Sequence, residues 1–308
     1  MRSPPKPAGE TSMDLKAYLE AKRAVVEKAL GVYIPSQNGP AALLGEAMRY
    51  SLLAGGKRIR PILHLASVEA CGGDPEKCLG FACALEMIHT YSLIHDDLPA
   101  MDNDELRRGK PTNHVVFGEA MALLAGDGLL TEAFRVIAQE ALEKGLEPVG
   151  VLRATLELAS AAGAHGMVGG QAADILSEGK VVDAQTLAFI HNKKTGALIR
   201  ASVRTGGILA GVSWDLLEGL GKYGEALGLA FQIRDDLLNE EGDPAKLGKA
   251  IKTDQARGKA TYPGLFGVEE SRERLESLVH QAVEALERFG PEAEPLREIA
   301  LYVARRDH

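Results

Sequence analysis

Residues 87–102 read MIHTYSLIHDDLPAMD, an apolar helical segment that runs directly into three aspartates, Asp96, Asp97 and Asp102. Residues 228–239, GLAFQIRDDLLN, repeat this arrangement with Asp235 and Asp236. Burial of such segments would bring several carboxylates into a low-dielectric site, which requires compensating positive charge. Clusters of oxygen ligands without cysteine or histidine favour hard divalent ions. The two segments therefore predict a Mg²⁺ site.

The spacing within each cluster predicts how its polar groups converge. In the second cluster, Asn239 lies one helical turn after the aspartate pair and so shares their helical face. In the first cluster, Pro99 removes a backbone hydrogen-bond donor. We therefore expect the chain to leave regular α geometry there and to bring Asp102 back toward Asp96.

Apolar residues recur every three or four positions along most of the chain, which predicts an all-α fold. The predicted helices cover residues 15–30, 41–53, 60–71, 79–96, 120–142, 149–163, 183–205, 215–239 and 269–289. Glycine and proline clusters separate these helices, and no segment shows the alternation typical of a β-strand. Since no long linker or internal repeat divides the chain, we expect one domain over residues 13–308 after a flexible, proline-rich tail at 1–12.

The charge balance limits the possible partners. A net charge of -8, with acidic and basic residues interspersed, argues against nucleic-acid binding, which needs clustered lysines and arginines. The longest stretch without charged side chains, 158–173, is too short and too polar to cross a membrane. The start of the chain lacks the pattern of a secretory signal, and Cys71, Cys78 and Cys83 lack zinc-ligand spacing. We therefore expect reduced thiols in a cytoplasmic protein.

Local groups of basic residues accompany the aspartates. Lys57 and Arg60 fall at a predicted helix start, where backbone N–H groups, the helix dipole and both cations would suit a diphosphate. Arg107 and Arg108 precede Gly109, which would let the two guanidinium groups diverge toward different anions. Further local cations are Lys194, Lys249 and Lys259. Metal ligands and basic groups together indicate a substrate that carries diphosphate.

A set of ordered motifs carries a family resemblance. The motifs are GGKRIRP (55–61), SLIHDDLPAMD (92–102), RRG (107–109), GGQ (169–171), KTGAL (194–198), FQIRDD (231–236) and GKATYP (258–263). In this order they resemble the trans-prenyltransferases of the bacterial farnesyl diphosphate synthase type, from about residue 14 to the C-terminus. The second aspartate motif of that family usually ends in aspartate, where this chain has Asn239. An amide oxygen still accepts from a metal-bound water, so we expect weaker charge compensation but not loss of activity.

The resemblance implies a bundle of long helices around a central cavity, and prenyl chain elongation by ionisation, condensation and elimination. Isopentenyl diphosphate would condense head to tail with dimethylallyl or geranyl diphosphate, and the released diphosphate would take the final proton. The implied metal ligands are Asp96, Asp102 and Asp235, with Asp97 and Asp236 beside them, which would hold the allylic diphosphate through about three Mg²⁺ ions. The implied substrate contacts are Arg107, Lys194 and Lys259 on the allylic diphosphate, Lys57, Arg60, His89 and Arg108 on isopentenyl diphosphate, and Thr195 and Gln232 beside the carbocation.

The resemblance also implies that the growing prenyl chain runs along the helix before Asp96, so that bulk about one turn earlier limits its length. Tyr91 is the expected floor, and it favours a C15 farnesyl product over C20 geranylgeranyl. Gln171 and Asp174, one turn apart, are expected to orient the basic side chains.

Other interpretations remain open. A terpene cyclase would also use metal-bound aspartates but needs no second diphosphate pocket, so Lys57, Arg60 and Arg108 argue against it. A catalytically silent partner subunit would be expected to have lost acids or arginines, and only Asn239 supports that view. Among synthases, a geranylgeranyl diphosphate synthase is the alternative. The resemblance further implies a homodimer.

Overall fold

The computed structural model describes residues 13–34, 38–241 and 260–305. Its helices are α1 (Leu15–Tyr33), α2 (Ala42–Leu52), α3 (Ile59–Ala70), α4 (Leu79–Asp96), α5 (Asn113–Phe117), α6 (Glu119–Glu143), α7 (Pro148–Ala162), α8 (Met167–Ser177), α9 (Ala184–Ile190), α10 (Ala197–Leu209), α11 (Trp214–Glu241), α12 (Tyr262–Phe266), α13 (Val268–Glu284) and α14 (Glu294–Arg305). A π turn (His191–Gly196) joins α9 to α10, and 3-10 turns lie at Gly39–Ala41 and Pro291–Ala293. The all-α prediction is confirmed.

Some of the predictions fall on residues outside these ranges. The expected tail at 1–12 and the candidate site residues Lys249 and Lys259 lie outside the described residues. Within the described ranges, no helix has both the length and the apolar character needed to span a bilayer.

Helix α4 lies in one of two apolar cores. Its sequence is apolar on nearly every side, and Leu85, Met87 and Ile88 are fully buried. The helix packs mainly against α6, with α1, α2 and α3 also in contact. Such a central position suits a helix without a polar face. Helix α4 therefore carries the first aspartate cluster out of the core at its C-terminal end.

Helix α11 organises the second core, against α13 and α14. Tyr223 is fully buried there, and its hydroxyl donates to the Leu296 carbonyl at 2.7 Å. Helix α10 contacts α3, α7 and α11 and so links the two cores. The second aspartate cluster, near the C-terminal end of α11, is thus held by a core of its own.

Side-chain caps explain where several helices begin. Asp14 accepts from a backbone N–H at the start of α1, and Asp183 does the same for α9. Glu147 caps α7, whose first residue is Pro148. At this position the missing N–H of proline costs no hydrogen bond, because the first N–H groups of a helix have no partner within the helix. These starts follow from the local sequence alone.

Most predicted helix boundaries agree with the structure within a few residues, but the predicted helix at 183–205 consists of α9, the π turn and α10. Helices α5, α8, α12 and α14 were not predicted. In α8 the pair Gly169 and Gly170 is typical of a turn, and only Met167 and Gly170 are buried. Helix α14 has Pro295 in its first turn, where proline is tolerated.

A short hairpin is the one departure from the expected lack of strands in the described chain. Strand β1 (Leu106–Arg107) pairs antiparallel with β2 (Lys110–Pro111) across Arg108 and Gly109. These two turn residues have φ values of 54° and 75°, as in a type I′ turn. Strands of two residues are too short to produce an alternating pattern in the sequence.

Candidate active site

A cavity of about 550 Å³ opens between α4, α6, α8 and the π turn. The predicted site residues that line this cavity are Arg60, His89, Tyr91, Asp96, Gln171, Lys194 and Thr195. Apolar side chains cover other parts of its wall, among them Leu98, Met101, Leu123, Met167 and Ile175. The structure therefore gathers residues from four of the motifs, together with His89 and Tyr91, around one apolar space. A second cavity of about 490 Å³, beside Asn192 and Arg200, holds none of the predicted site residues.

The first aspartate cluster folds back on itself, as predicted. Helix α4 ends at Asp96, and the amide of Asp102 donates to the Asp96 carbonyl at 2.8 Å. Asn103 follows with a positive φ of 51°, and its amide donates to the Leu98 carbonyl at 3.1 Å. This compact loop brings the backbones of Asp96 and Asp102 side by side.

Asp97 faces Arg107. Its carboxylate accepts from Nε of Arg107 at 2.8 Å and from Nη2 at 2.5 Å, and Asp97 is only 3% exposed. Burial lowers the pKa of the Arg107 guanidinium, but the hydrogen bond and charge of Asp97, with smaller effects of Asp104 and Asp96, raise it. The net pKa is above the usual arginine value. The bidentate pair holds the hairpin against the end of α4. Asp97 is therefore positioned to orient Arg107.

The negative charge of the Asp96 carboxylate is only partly offset by neighbouring cations. Burial and, to a smaller extent, the Asp102 carboxylate raise the pKa of its carboxyl, Lys194 lowers it, and the net pKa is about 6. Nζ of Lys194 donates to Oδ2 of Asp174 at 2.7 Å, so Lys194 serves two carboxylates. A partly buried carboxylate of this kind would be stabilised by a divalent cation.

The raised pKa of Asp96 predicts that Asp96→Asn stabilises the protein when no divalent cation is present. The folded-state pKa of about 6 exceeds the usual aspartate value of 3.8, so the ionised carboxylate destabilises the fold above pH 6. This penalty diminishes as the pH falls through the window from 6 to 3.8. We expect a gain of about 1–2 kcal/mol at pH 7.5 that shrinks toward pH 4, measured by urea unfolding in EDTA. A gain that is independent of pH would contradict the assignment.

A buried ion pair anchors the glycine-rich loop before α3. Arg58 is 2% exposed and has a positive φ of 53°. Its Nη1 donates to Oε1 of Glu86 at 2.7 Å, and its Nη2 donates to the Leu52 carbonyl at 2.8 Å. Glu86 lies on α4 and is also 2% exposed. The loop is thereby tied to both α4 and the end of α2.

Arg60 lies in the first turn of α3 and lines the cavity. Burial lowers the pKa of its guanidinium to about 10, which leaves it charged at neutral pH. Its buried Nε has no hydrogen-bond partner among the described residues. Lys57 precedes the helix and is exposed, so the two cations do not share the first turn of one helix.

Arg108 diverges from Arg107, as predicted, and returns to the glycine-rich loop. Its guanidinium donates to the Gly55 carbonyl. A Cβ atom on Gly56 would lie 2.6 Å from Nη1 of Arg108, so the contact requires glycine at that position. Gly56 also has a φ of 134°, which side chains rarely adopt. Hence the motif at 55–61 shapes the surroundings of Arg108.

His89 lies two helical turns before Asp96 and lines the same cavity, as predicted. Burial, and then the charges of Arg60 and Arg108, lower the pKa of its imidazole well below the usual value. The ring is therefore neutral at pH 7. A neutral imidazole donates from one nitrogen and accepts on the other.

The π turn positions Lys194 and Thr195, and two glycines permit its close packing. A Cβ atom on Gly170 of α8 would lie 2.3 Å from the Lys194 amide nitrogen. One on Gly228 of α11 would lie 2.7 Å from Cα of Gly196. π turns are rare and are often found at functional sites. This one brings both residues to the cavity wall.

A hydrogen-bonded chain links the π turn to α11 and α12. Thr195 donates to Oε1 of Gln232 at 3.0 Å, and Nε2 of Gln232 donates to Oδ1 of Asp236 at 2.9 Å. Oδ2 of Asp236 accepts from the Tyr262 amide at 3.0 Å. Asp236 is 4% exposed and has both oxygens engaged, so it orients Gln232.

Asp235 and Asn239 occupy the same regular helix, α11, as predicted. Asp235 is half-buried, and Asn239 is 4% exposed. The Asp235 carboxylate raises the pKa of Arg60, against the lowering caused by burial. Since Arg60 lines the cavity with Asp96, this interaction places the second cluster near the first.

The acidic residues fit a Mg²⁺ site that would need further oxygen ligands, such as those of a bound phosphate group. Among the described residues, no three carboxylate, imidazole or thiol side chains converge as a preformed metal site. Asp96 nevertheless lacks positive charge, as its raised pKa indicates. Mg²⁺ demands octahedral oxygen coordination and commonly takes one or two carboxylates together with substrate phosphates.

No role was predicted for Arg58, Glu86 or His191. Glu86 carries a usable signal, because a single carboxylate within an apolar helix requires a buried partner. His191 carries none. Its ring stacks on Tyr262 with centroids 5.5 Å apart, and Nε2 lies 3.7 Å from Oδ2 of Asp236. Burial lowers the pKa of His191 to about 4, so the ring supports Asp236 as a neutral group.

Comparisons with known proteins agree with this site. The chain is 49% identical to a farnesyl diphosphate synthase of Geobacillus stearothermophilus, over 96% of this chain and 99% of the relative. It is 47% identical to a geranylgeranyl diphosphate synthase of Cyanophora paradoxa, over 97% and 99% of the two chains. A crystal structure of an FPP/GFPP synthase from Zymomonas mobilis is similar with a TM-score of 0.85 and 39% identity, covering 96% of this chain and 100% of that one.

A more distant structure shares the same architecture. The geranylgeranyl pyrophosphate synthetase from Pyrococcus horikoshii has a TM-score of 0.87 at 32% identity, covering 96% of this chain and 100% of that one. The model of the polyprenyl synthetase family matches residues 41–291, which include both aspartate clusters and the basic loop. The chain therefore belongs to the polyprenyl synthetase family.

Proposed function

We propose that this protein is a Mg²⁺-dependent prenyltransferase that condenses isopentenyl diphosphate head to tail with dimethylallyl or geranyl diphosphate. The observation that carries the proposal is the shared apolar cavity, whose wall includes Asp96, Lys194, His89 and the partly buried cation Arg60. One allylic diphosphate and one homoallylic diphosphate would meet there. The named activities of the relatives support the same reaction class.

Asp96, Asp102 and Asp235 would hold the allylic diphosphate through about three Mg²⁺ ions, which neutralise the charge that develops as the diphosphate leaves. Lys194 is aimed by Asp174 and Arg107 by Asp97, so both cations are oriented before substrate arrives. Lys259 and Lys249 remain proposed contacts of the diphosphate. For Asp97 and Asp236 we propose an orienting role, since their oxygens are already hydrogen-bonded.

Isopentenyl diphosphate would be bound by Lys57, Arg60, Arg108 and His89. The unsatisfied Nε of Arg60 supports this assignment, because a buried guanidinium donor needs an acceptor. The neutral imidazole of His89 adds a hydrogen-bond donor without a further charge. Gln171 has an unpartnered buried Oε1 in the same cavity and would orient a bound cation or water.

The carbocation would form beside Thr195 and Gln232. The Thr195 hydroxyl donates its hydrogen to Gln232. The lone pairs of the hydroxyl oxygen are therefore free to face the positive charge of the carbocation. The surrounding apolar side chains exclude water, which would otherwise capture the cation. We assign no side-chain base and propose that the released diphosphate removes the proton.

The decisive experiment incubates the protein with Mg²⁺, isopentenyl diphosphate and either dimethylallyl or geranyl diphosphate, and separates the dephosphorylated products by chromatography. We expect products that are longer by five-carbon units. A protein that only cyclises the allylic diphosphate would indicate a terpene cyclase, and a protein without turnover would indicate a silent subunit. Either outcome would reject the proposal.

We propose a C15 farnesyl product, with Tyr91 as the floor of the cavity. Tyr91 is 6% exposed, lines the cavity and lies five residues before Asp96 on α4. The second candidate, a C20 product, is supported by the named activity of the Cyanophora relative.

Tyr91→Ala is expected to lengthen the main product by at least one five-carbon unit, because it removes the phenol ring from the end of the cavity. Chromatography of the products measures the change. Tyr91→Phe is the matched control, since it keeps the ring and removes only the hydroxyl, and its product should equal that of the wild type. If Tyr91→Ala also gave the wild-type product, the floor would lie elsewhere.

We also propose a homodimer, formed through α6 and α7. Exposed apolar side chains on these helices include Leu124, Leu152 and Leu156, which are 49%, 70% and 68% exposed. Leu152 and Leu156 lie one turn apart on one face of α7, and exposed apolar patches mark interaction sites. Light scattering is expected to give twice the chain mass of 32.8 kDa, and the mass of a single chain would contradict the proposal.

A cytoplasmic location is the remaining proposal. Cys71, Cys78 and Cys83 are all free thiols in the structure, which suits a reducing compartment. Thiol titration of the protein from its natural source, unfolded without a reducing agent, should therefore detect all three thiols. A disulfide among them would argue against this location.

A further inference from the structure

His95 of α4 and Gly126 of α6 are in close contact beside the cavity. A Cβ atom on Gly126 would lie 2.1 Å from Nε2 of His95 and 2.4 Å from its Cδ2. Even a methyl group at position 126 would therefore displace the imidazole ring. Glycine within a helix costs about 1 kcal/mol relative to alanine. Helix α6 thus contains a residue unfavourable for helix formation at the place where the ring packs.

A hydrogen bond and a ring contact orient the His95 ring, and Oδ1 of Asp127 on α6 lies 3.9 Å from its Nε2. Nε2 lies 3.0 Å from the Leu123 carbonyl of α6, and because a carbonyl only accepts, this nitrogen carries the hydrogen. The ring also stands edge-on to Tyr91, with centroids 5.7 Å apart and ring planes at 81°. Such T-shaped pairs are favourable. His95 therefore connects α6 to the proposed floor.

The position of His95 along α4 is important for the prenyl tail. His95 directly precedes Asp96, and Tyr91 lies one turn before His95, so the imidazole stands between the diphosphate end of the cavity and its floor. His95, Tyr91 and Leu123 all line the cavity. The neighbouring Ser92 also lines the cavity, but its hydroxyl donates to the His89 carbonyl at 2.8 Å and not to His95 or Tyr91.

We infer that Gly126 and His95 form a second determinant of product length, in which the glycine accommodates the imidazole against α6 and the imidazole supports Tyr91. The inference deepens the chain elongation proposed above and rests on it. A ring displaced from α6 would occupy space that the prenyl tail needs. Removal of the ring would leave Tyr91 without its edge contact and would enlarge the cavity.

Gly126→Ala is the first test. With geranyl and isopentenyl diphosphates as substrates, we expect the formation of C15 to fall by roughly tenfold, which is the lower range for one carbon in an apolar pocket. The first condensation, from dimethylallyl diphosphate to C10, should stay within about twofold of wild type, because the shorter tail does not reach the displaced ring.

Gly128→Ala is the matched control on the same helix. It adds the same methyl group and the same helix propensity, but its Cβ would meet Sδ of Met48 at 2.9 Å instead of His95. Met48 belongs to the core and does not line the cavity. We expect the wild-type ratio of C10 to C15 for this variant.

His95→Ala supplies the second test and a rescue. Alone, it should increase the fraction of C20 product about tenfold although Tyr91 is present. Combined with Gly126→Ala, it should restore the formation of C15, because the added methyl group has no ring to displace. The inference would be overturned if His95→Ala left the product distribution unchanged, or if Gly126→Ala and Gly128→Ala behaved alike. A wild-type protein that makes no elongated product would instead reject the proposed function.

Discussion

Replacement of Asp96 by alanine is expected to lower kcat by about 10³-fold or more, which corresponds to about 4 kcal/mol of lost transition-state stabilisation. Asp96 ends α4 on the cavity wall, and its backbone holds the returning loop that carries Asp102. Without this carboxylate, the metal ions that neutralise the leaving diphosphate would lose a proposed ligand. Steady-state kinetics at saturating Mg²⁺ measure the effect.

A catalytic loss must be separated from unfolding. Since the ionised Asp96 carboxylate destabilises the metal-free fold above pH 6, the alanine variant should melt no lower than wild type at pH 7.5 in EDTA. Asp215→Asn is the control for removal of an acid, because Asp215 is 71% exposed and pairs only with Arg288 among the described residues. Its activity should stay within twofold. An Asp96→Ala enzyme that retains a tenth of wild-type kcat would refute the metal assignment.

Arg58→Ala should destabilise the fold by about 3–5 kcal/mol, the largest stability effect that we expect from a single change. The substitution leaves the Glu86 carboxylate, which is 2% exposed, without its 2.7 Å partner. It also removes the donor to the Leu52 carbonyl at the end of α2. Because a domain is stable by only about 5–15 kcal/mol, the variant should lose much of its stability. Urea unfolding monitored by circular dichroism measures the change.

Two further variants test the cause of that loss. Arg288→Ala breaks an exposed ion pair of similar length, 2.9 Å, and should cost no more than about 1 kcal/mol. The double change Arg58→Met with Glu86→Leu removes both charges and should be less destabilising than Arg58→Ala alone, because the Glu86 carboxylate no longer stays buried without its cation. If Arg58→Ala cost less than about 1 kcal/mol, water would have to reach Glu86, contrary to the observed burial.

The long helices were predictable because their signal is local. Helix α4 was predicted with its observed limits, and α11 nearly so, since apolar periodicity persists over many turns. Helix α8 was missed because Gly169 and Gly170 are poor helix formers. The need for glycine at position 170 comes from another element, because a side chain there would prevent α8 from approaching the backbone of Lys194. Such a requirement is not visible within the segment itself.

The candidate site was predictable in its residue types but not in its pairings. His89, Asp96 and Lys194 were predicted to share one site, and all three line one cavity in the structure. They did not separate Asp97 from its neighbour Asp96, although Asp97 is held by Arg107 through two hydrogen bonds at its carboxylate. The role of a carboxylate depends on which cation reaches it, and that is decided by the turn at Gly109 and by the packing of the hairpin.

Periodicity and side-chain chemistry are properties of short stretches, so the long helices, the two aspartate clusters at the ends of apolar segments and the supply of basic groups could be read from the chain alone. Which charges pair and which face the cavity depends on how the helices pack. Arg58 meets Glu86 and His95 packs on Gly126 across about thirty residues of chain. Burial then fixes the protonation of Asp96, His89 and His191, because desolvation depends on the elements packed around a group and not on its neighbours in sequence.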